Sequence, residues 1–417
     1  MRTVFAGGRV FDGTGAPLAD GDVAVEDGRI VDVGPGLDGD EVVDVAGAAL
    51  LPGLFDCHVH VMLRDVDVWR VAQTPFSYRF YEAIANLEAT LAVGITTVRD
   101  AGGADLGLKR ALEDGLVRGP RMLIALSMIS QTGGHSDGWM PSGYVLQLFP
   151  RHPGLPDPIV DSPDEMRRKV REMVRNGADV IKVATSGGVL SPRSRPDAAH
   201  FRLGELEVLV EEATAAGLDV MAHAQSTDGI KNAVRAGIRS IEHGIYLDDE
   251  AIALMLERGA WLVPTLVAAN GVLDAAAGGA AISDAVLAKA REVIDAHGES
   301  FRRALAAGVK IAMGTDSAVT PHGRNLRELE LMAEHGMAPA DVLVATTSAA
   351  ARLLRLDGEL GTLEPGKRAD LVVVDGDPLD FRTLSARVRA VHMDGALIAG
   401  GYPGRTAEAT QVSPRGP

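Results

Sequence analysis

The sequence predicts an α/β fold: a (β/α)8 TIM barrel joined to a small β-sandwich that both chain termini build. First, eight short apolar runs alternate with amphipathic segments between residue 50 and about residue 355, which is the strand count of such a barrel. Second, β-like runs occur at both ends of the chain, and neither end alone has enough strands for a core. We therefore predict a sandwich from 1–49 and 356–402, a barrel over 50–355 and a loose tail over 403–417.

The terminal runs are rich in β-branched residues and are broken by glycine and aspartate. The stretch Glu26-Asp27-Gly28-Arg29 lies between two of these runs and is a hairpin signal. The predicted terminal strands are 3–6, 22–26, 29–33, 369–375 and 388–393.

Glycine commonly follows the amphipathic segments of the central region, as the C-terminus of a helix prefers. A doubly wound open sheet is the competing topology, but no Gly-x-Gly-x-x-Gly follows an early strand. The predicted central strands are 50–58, 95–99, 121–126, 180–184, 218–222, 240–242, 261–265 and 309–313. The predicted helices are 81–93, 165–176, 205–216, 229–236, 250–258, 285–307 and 326–335.

Composition excludes several classes of protein. The formal net charge of −16 argues against nucleic acid and anionic membrane as partners. The single cysteine, Cys57, excludes an intramolecular disulfide and suits a reducing compartment. The N-terminus lacks the apolar core of a signal peptide, and no apolar run approaches the length of a membrane span. We expect a cytoplasmic homo-oligomer that acts on a small molecule.

The first central strand ends in His58-Val59-His60. Side chains alternate along a strand, so both imidazoles point to the same face and can chelate one metal ion. A pair of hydrogen-bonded histidines at a strand end is the alternative. Arg99, Asp100 and Glu242 are candidates for orienting such ligands, or are structural.

Three further strands end in residues that bind metals. Strand five ends in His223, strand six in His243 and strand eight in Asp316. Catalytic groups of such barrels lie at the C-terminal ends of the strands, so these residues would share one rim with the first pair. Each could instead be a satisfied histidine or a helix N-cap, but their joint occurrence favours a metal site.

Lys182 lies in the middle of the buried strand 180–184. An ammonium is costly to bury without a partner. A buried ion pair is one interpretation. The other is that burial lowers the pKa of the lysine and makes the free amine available for chemistry or for a metal site.

These motifs together resemble the amidohydrolase superfamily, and specifically its imidazolonepropionase-like branch of zinc dipeptidases and related amidases, the prolidase-like enzymes. The matching stretches are LPGLFDCHVH, GITTVRDAGG, TGGHSD, ADVIKVATSGGVLSP, MAHAQ, GIRSIEHG, MGTDSAVTPHG and LGTLEPGKRADLVVVDGDPL, which run along nearly the whole chain. The resemblance implies that Lys182 is carboxylated and bridges two divalent metal ions, with Zn²⁺ expected. It also implies that His58, His60 and Asp316 hold one ion and that His223 and His243 hold the other.

In that chemistry a hydroxide shared by the two metals is the nucleophile, and Asp316 moves its proton to the leaving amine. The resemblance also implies that the glycine-rich loop after strand three covers the pocket and that its His135 contacts the substrate. The expected role of His135 is to bind a substrate carboxylate or the carbonyl oxygen that becomes an oxyanion. A solvated surface histidine is the alternative. We interpret His322, which follows strand eight, as a rim or loop-closing residue.

The chain departs from the resembling dipeptidases at Gln225. Many of them have an aromatic residue there, two positions after the strand-five histidine, which helps to hold the substrate's carboxylate. We expect Arg193 or Arg195, in the loop after strand four, to take over that role with His135, or both arginines to be solvated or paired with surface acids. If neither binds substrate, specificity moves to Gln225 and Tyr246.

The sequence therefore predicts a binuclear metal hydrolase that cleaves an amide or peptide C–N bond of a small substrate, such as a dipeptide or an N-acyl amino acid. One alternative is a carbamate, urea or aryl-amide hydrolase with the same metals. Another is a mononuclear deaminase or imidazolone-type hydrolase, against which Lys182 argues. The last is a non-catalytic scaffold, against which the complete ligand set argues.

Overall fold

Strands from the two ends of the chain and strands from its middle form separate sheets in the computed structural model, which describes residues 1–191, 193–403 and 405–407. The strands are β1 (Arg2–Val10), β2 (Ala19–Glu26), β3 (Arg29–Gly34), β4 (Glu41–Asp44), β5 (Ala48–Pro52), β6 (Leu54–Val59), β7 (Ile95–Asp100), β8 (Arg121–Ile124), β9 (Met128–Ile129), β10 (Val180–Ala184), β11 (Asp219–Ala224), β12 (Ser240–His243), β13 (Trp261–Val263), β14 (Lys310–Ile311), β15 (Leu371–Asp375), β16 (Val388–Met393), β17 (Ala396–Tyr402) and β18 (Arg405–Thr406). The helices are α1 (Val68–Gln73), α2 (Tyr78–Ala92), α3 (Leu106–Glu113), α4 (Pro163–Arg175), α5 (Leu203–Ala215), α6 (Thr227–Ala236), α7 (Asp249–Arg258), α8 (Val267–Ala277), α9 (Asp284–Ala307), α10 (Arg327–Glu334), α11 (Pro339–Ala345) and α12 (Ser348–Leu353).

The central strands form two parallel sheets. One has the order β6-β7-β8 and the other the order β14-β13-β12-β11-β10-β9. Main-chain hydrogen bonds join the sheets beside β6, where Cys57 N–H donates to Met313 C=O (2.9 Å) and Asp316 N–H donates to His58 C=O (2.7 Å). This alternation of parallel strands with helices is consistent with the predicted TIM barrel.

Both termini contribute to one nine-stranded sheet. Its order is β18-β17-β16-β15-β5-β1-β2-β3, and β4 pairs with β1. β5 from the N-terminal segment pairs antiparallel with β15 from the C-terminal segment, with Leu51 opposite Val372. Phe5, Leu50 and Leu371 are buried in the same hydrophobic cluster of this sheet. That the sheet folds as a sandwich stays a prediction.

The predicted strand over 50–58 is two strands, β5 and β6, which belong to different sheets. Gly53 lies between them. Its N–H donates to Asp370 C=O (2.8 Å), and a Cβ at this position would collide with Thr96 Oγ1. Hydrophobic periodicity cannot show the break because every residue of both strands is buried. The change of sheet therefore falls at Gly53 rather than between residues 49 and 50.

Part of the stretch predicted as a loose tail is a strand. In β18, Arg405 lies opposite Tyr402 of β17. The remainder of that stretch, Gly404 and residues 408–417, lies outside the described residues.

Among the described residues, no helix combines the length and the apolarity that crossing a membrane requires.

Candidate metal centre

The six predicted metal ligands lie at or near the C-terminal ends of parallel strands, and all of them line one cavity. They are His58 in β6, His60 just after it, Lys182 in β10, His223 in β11, His243 at the end of β12 and Asp316 after β14.

His58, His60 and Asp316 form the tightest group. Each offers one ligand atom, and these atoms lie within 4.8 Å of one another. Asp316 Oδ1 is 3.4 Å from His58 Nε2 and 3.3 Å from His60 Nε2. Two imidazole nitrogens and a carboxylate oxygen in this arrangement could hold one metal ion.

His223 and His243 lie beside this group, with Lys182 buried on the strand next to that of His223. The ring centroids of His223 and His243 are 4.6 Å apart, and those of His243 and His58 are 5.2 Å apart. Lys182 is only 2% exposed, and its Nζ has no hydrogen-bond partner among the described residues. Burial lowers the pKa of Lys182 to about 8, although Glu242 and Asp316 favour its charge. A buried amine without a hydrogen-bond partner is expected of a lysine that is chemically modified or bound in a metal site.

His58 is oriented by a buried carboxylate. Its Nδ1 lies 2.8 Å from Glu242 Oε2, while Glu242 Oε1 accepts hydrogen bonds from Arg99 (2.9 Å) and from Ser240 Oγ (2.6 Å). An ionised carboxylate only accepts, so Nδ1 of His58 carries the proton and Nε2 is left free for a metal.

The other histidines are held in the same manner. In each case one ring nitrogen donates to an oxygen, which leaves the opposite nitrogen for a ligand. The pairs are His60 Nδ1 with Gly102 C=O (2.8 Å), His243 Nδ1 with Thr265 Oγ1 (2.7 Å) and His223 Nε2 with Gly187 C=O (3.0 Å). In the second pair, Thr265 Oγ1 donates its own proton to Pro264 C=O (2.6 Å), so it accepts the hydrogen bond from His243.

Most of the protonation states suit metal binding, and that of His60 is the exception. Burial lowers the pKa of His58 and His223 well below the ordinary value, and that of His243 to about 3, so these imidazoles are neutral at pH 7. Burial also opposes a charge on Asp316, but the imidazoles of His58 and His60 hold the pKa of its carboxyl well below its usual range. Burial opposes a charge on His60 too, yet its hydrogen bond to Asp316 raises its pKa.

The backbone is strained where side chains enter the centre. His243, Thr265 and Asp316 have positive φ angles of 71°, 54° and 60°. A left-handed conformation at a residue with a Cβ costs about 1–3 kcal/mol and persists only where the surrounding fold imposes it. The fold therefore imposes this geometry at three strand ends that line the cavity.

His135 lies against this centre. Its ring is stacked on that of His223 with 4.1 Å between centroids. A Cβ on Gly188 would collide with His135 Cε1, so only glycine allows this approach of the loop after β10. Burial, followed by the nearby His200, lowers the pKa of His135 to about 3. Nδ1 of this neutral ring has no hydrogen-bond partner among the described residues.

The cavity above the centre has a volume of about 380 Å³, which is within the range of small-molecule sites. Gln225 lines it and its Oε1 has no hydrogen-bond partner in the described part of the chain. Most of the remaining wall is apolar and includes Leu63, Val66, Trp69, Met128, Trp139, Phe149, Val189, Ile245, Val272, Ile282, Val286 and Val319.

Of the residues expected to contact substrate, Arg193 joins His135 and Gln225 in lining the cavity, and three others do not. Arg195 points away and pairs with Asp197 (2.9 and 2.6 Å). The imidazole of His322 lies between Thr90 Oγ1, 3.2 Å from its Nδ1, and the carbonyl of His60, 3.3 Å from its Nε2. The side chain of Tyr246 packs against a hydrophobic cluster that includes Val272 and Val293. None of these three side chains is among those that line the cavity.

Two residues of the site were not predicted. Thr265 accepts a hydrogen bond from His243. Its position at the end of a predicted strand could have indicated that it belongs to the site. Trp139 lines the cavity from an irregular loop, where no periodicity indicates a side chain's direction.

A parallel α/β fold that gathers four histidines, an aspartate and a buried lysine at the C-terminal side of its strands is typical of metal-dependent hydrolases. The chain belongs to the Amidohydrolase family, whose sequence profile matches residues 49–401. It is therefore an enzyme of the amidohydrolase type, which acts on C–N bonds.

Known relatives agree with this assignment. The chain is 34% identical to ochratoxinase from Aspergillus niger over 400 residues, which cover 91% of this chain and 82% of the relative. It is 29% identical to imidazolonepropionase from Rhizorhabdus wittichii over 402 residues, which cover 86% of this chain and 88% of the relative. A solved Xaa-Pro dipeptidase with methionine in its active site superposes with a TM-score of 0.86 at 32% identity, over 95% of this chain and 99% of that one.

Proposed function

We propose that this chain is a binuclear metal-dependent hydrolase that cleaves the amide or peptide bond of a small substrate of the dipeptide or N-acyl amino acid type. The observation that carries the proposal is Lys182, whose buried Nζ is without a hydrogen-bond partner in the described chain and lies among metal-ligand side chains. An amine with a lowered pKa can react with carbon dioxide to form a carbamate, which supplies the anion that two adjacent cations need between them.

The side chains present fit two divalent ions, with Zn²⁺ suited to this mixture of imidazole and carboxylate donors. His58, His60 and Asp316 would hold one ion, His223 and His243 the other, and carboxylated Lys182 would join both. When bound, such ions supply a hydroxide nucleophile at neutral pH and polarise the scissile carbonyl.

The chain's own residues then carry the protons and position the substrate. Asp316, whose carboxyl stays ionised, would accept the proton of the attacking water at Oδ and pass it to the nitrogen of the leaving amine. Neutral His135 would hydrogen-bond the carbonyl oxygen as that oxygen gains negative charge. The largely apolar cavity wall would limit the access of bulk water.

A carbamate, urea or aryl-amide substrate is the second candidate. Gln225 favours it, because a neutral amide with an unpartnered Oε1 lines the cavity where related dipeptidases have an aromatic residue that helps to hold a carboxylate. Amine release from N-acyl amino acids, dipeptides, aryl amides, carbamates and ureas by the zinc-loaded enzyme separates the two candidates.

The metal centre is tested with Lys182→Ala. Purified protein should carry about two divalent ions per chain by elemental analysis, and the variant should lose most of one or both together with its activity. Lys310→Ala, which changes an exposed lysine of β14, is the matched control and should keep both ions. Full activity with one ion, and indifference to Lys182→Ala, would refute the binuclear proposal.

A further inference from the structure

The cationic side chains that line the cavity differ in their partners. Of the described ones, Lys182 belongs to the metal centre and Arg151 forms an ion pair with Asp157 (2.8 Å). Arg193 forms no ion pair with a described carboxylate. Its guanidinium lies over the ring of Trp139, with Cζ 4.9 Å from the ring centroid. A guanidinium that rests on an aromatic face keeps its planar N–H groups free to donate to another partner.

The Arg193–Trp139 pair lies at the mouth of the cavity. Arg193 is exposed and Trp139 is 48% exposed, whereas three of the four candidate ligand histidines are buried and His60 is partly buried. A molecule that fills the cavity therefore meets metal-ligand groups at one end, a cation at the other and apolar walls between them.

Hydrogen bonds from a neighbouring helix hold the loop that carries Arg193. Lys289 of α9 donates to the carbonyls of Gly188 (3.1 Å), Ser191 (2.5 Å) and Ser194 (3.1 Å), on both sides of Arg193. Such a clamp lowers the ordering cost of binding, because the backbone that presents the guanidinium is already held in place.

We propose that Arg193, held over Trp139, binds a carboxylate of the substrate, and that the preferred substrate is an N-acyl amino acid with a large apolar side chain or acyl group. This inference rests on the proposed function, since it assigns the substrate of that site. Arginine binds carboxylate through two parallel hydrogen bonds, and the apolar wall would be left unfilled by a small polar dipeptide.

Arg195 is the internal control. It lies two positions further along the same loop, but its guanidinium is already occupied by Asp197. Arg193→Gln and Arg195→Gln therefore remove the same charge from the same loop, and only the first removes a cation from the cavity wall.

The test compares N-benzoyl-leucine with N-benzoyl-3-methylbutylamine, the same amide without its carboxylate. Arg193→Gln should lower kcat/KM for N-benzoyl-leucine by about ten- to a hundredfold, mainly through KM, as expected for losing a hydrogen bond to a charged group. The carboxylate-free amide should be affected far less, and Arg195→Gln should change neither substrate. Equal losses on both substrates, no loss, or the same loss from Arg195→Gln would overturn the proposal.

A binding measurement keeps this inference separate from the proposed function. If the zinc-loaded wild type cleaves neither amide, the proposed function fails for this substrate class, and calorimetric titration with N-benzoyl-leucine decides the role of Arg193. Binding weakened about ten- to a hundredfold by Arg193→Gln alone supports the inference. Equal binding by wild type and both variants overturns it.

Discussion

Glu242 precedes the proposed metal ligand His243 in the sequence, but its side chain contacts another proposed ligand, His58. Its carboxylate accepts from His58, Arg99 and Ser240 at 2.6–2.9 Å, and it is fully buried. The three donors use both oxygens, so the carboxylate fixes the tautomer of His58 and is itself held in place.

We expect Glu242→Gln to weaken zinc binding about ten- to a hundredfold. The amide is nearly isosteric, but its NH₂ group would face a donor that the carboxylate now accepts, either His58 Nδ1–H or the guanidinium of Arg99. The measurement is zinc affinity by competition with a chelator. Glu250→Gln, on the surface helix α7, is the control, and an unchanged affinity in Glu242→Gln would contradict this role.

The sequence could name the candidate ligands and mark Arg99 and Glu242 as candidates for orienting them, but it could not show which side chain each of these two contacts. His58 and His60 are two residues apart, so strand alternation alone places them on one face. The contact of His58 with Glu242 joins residues far apart in the chain, and periodicity does not indicate which strands face each other across a fold. Likewise, the sequence after β10 could not show that Arg193 lines the cavity while Arg195 does not.

At the scale of elements, α8 begins without a capping side chain of its own. Its first main-chain N–H groups, on Leu266 and Val267, donate to the two oxygens of Glu328 from α10, both at 2.8 Å. Glu328 is completely buried, and burial raises the pKa of its carboxyl to about 8. A side chain of α10 therefore caps the N-terminus of α8, which begins two residues after Thr265 of the candidate metal centre.

The raised pKa of Glu328 predicts a pH dependence of stability. Its folded-state pKa of about 8 is above the ordinary value of 4.5, so the folded protein binds this proton more tightly than the unfolded chain. The contribution to the free energy of unfolding is full below pH 4.5 and is lost as the pH rises towards 8.

We therefore expect the free energy of unfolding of the wild type to fall relative to that of Glu328→Gln between pH 5 and pH 8. The expected slope is up to about 1.4 kcal/mol per pH unit. Urea unfolding of both proteins across this range measures it, because other titrating groups cancel in the difference. Glu334→Gln, at a more exposed carboxylate of the same helix, is the control substitution. A constant difference for Glu328→Gln would contradict the shifted pKa.

At the scale of the whole molecule, a single residue, Gly53, links the terminal sheet to the strand that carries His58. β5 is hydrogen-bonded between β1 and β15, and β6 starts immediately after Gly53. Periodicity predicted the longer helices of the central region except α8, and it also missed the short helices α1, α3, α11 and α12. The assignment of residues 50–52 to the other sheet was not predictable, because a fully buried strand has the same apolar pattern in either sheet.

We expect Leu371→Ala, a completely buried change in β15, to lower the free energy of unfolding by about 2–5 kcal/mol. Because β5 and β6 are directly joined, loss of the terminal sheet should release β6 as well. Circular dichroism and chelator-accessible zinc, followed on heating, should report one shared transition. Leu116→Ala, at a leucine that is 58% exposed, is the control. Separate transitions would show that the sheet and the metal centre unfold independently.

The hydrogen bonds between β6 and the segment after β14 have a consequence for the order of folding. Asp316 N–H donates to His58 C=O. The group of His58, His60 and Asp316 can therefore form only after β6 and the segment that follows β14 have come together. Contacts between such distant parts of a chain form slowly, because the loop between them must first be closed at an entropic cost. Binding of the ion that His58, His60 and Asp316 are proposed to hold would thus be a late event in folding. The rate of that binding would then report the rate at which these strands come together.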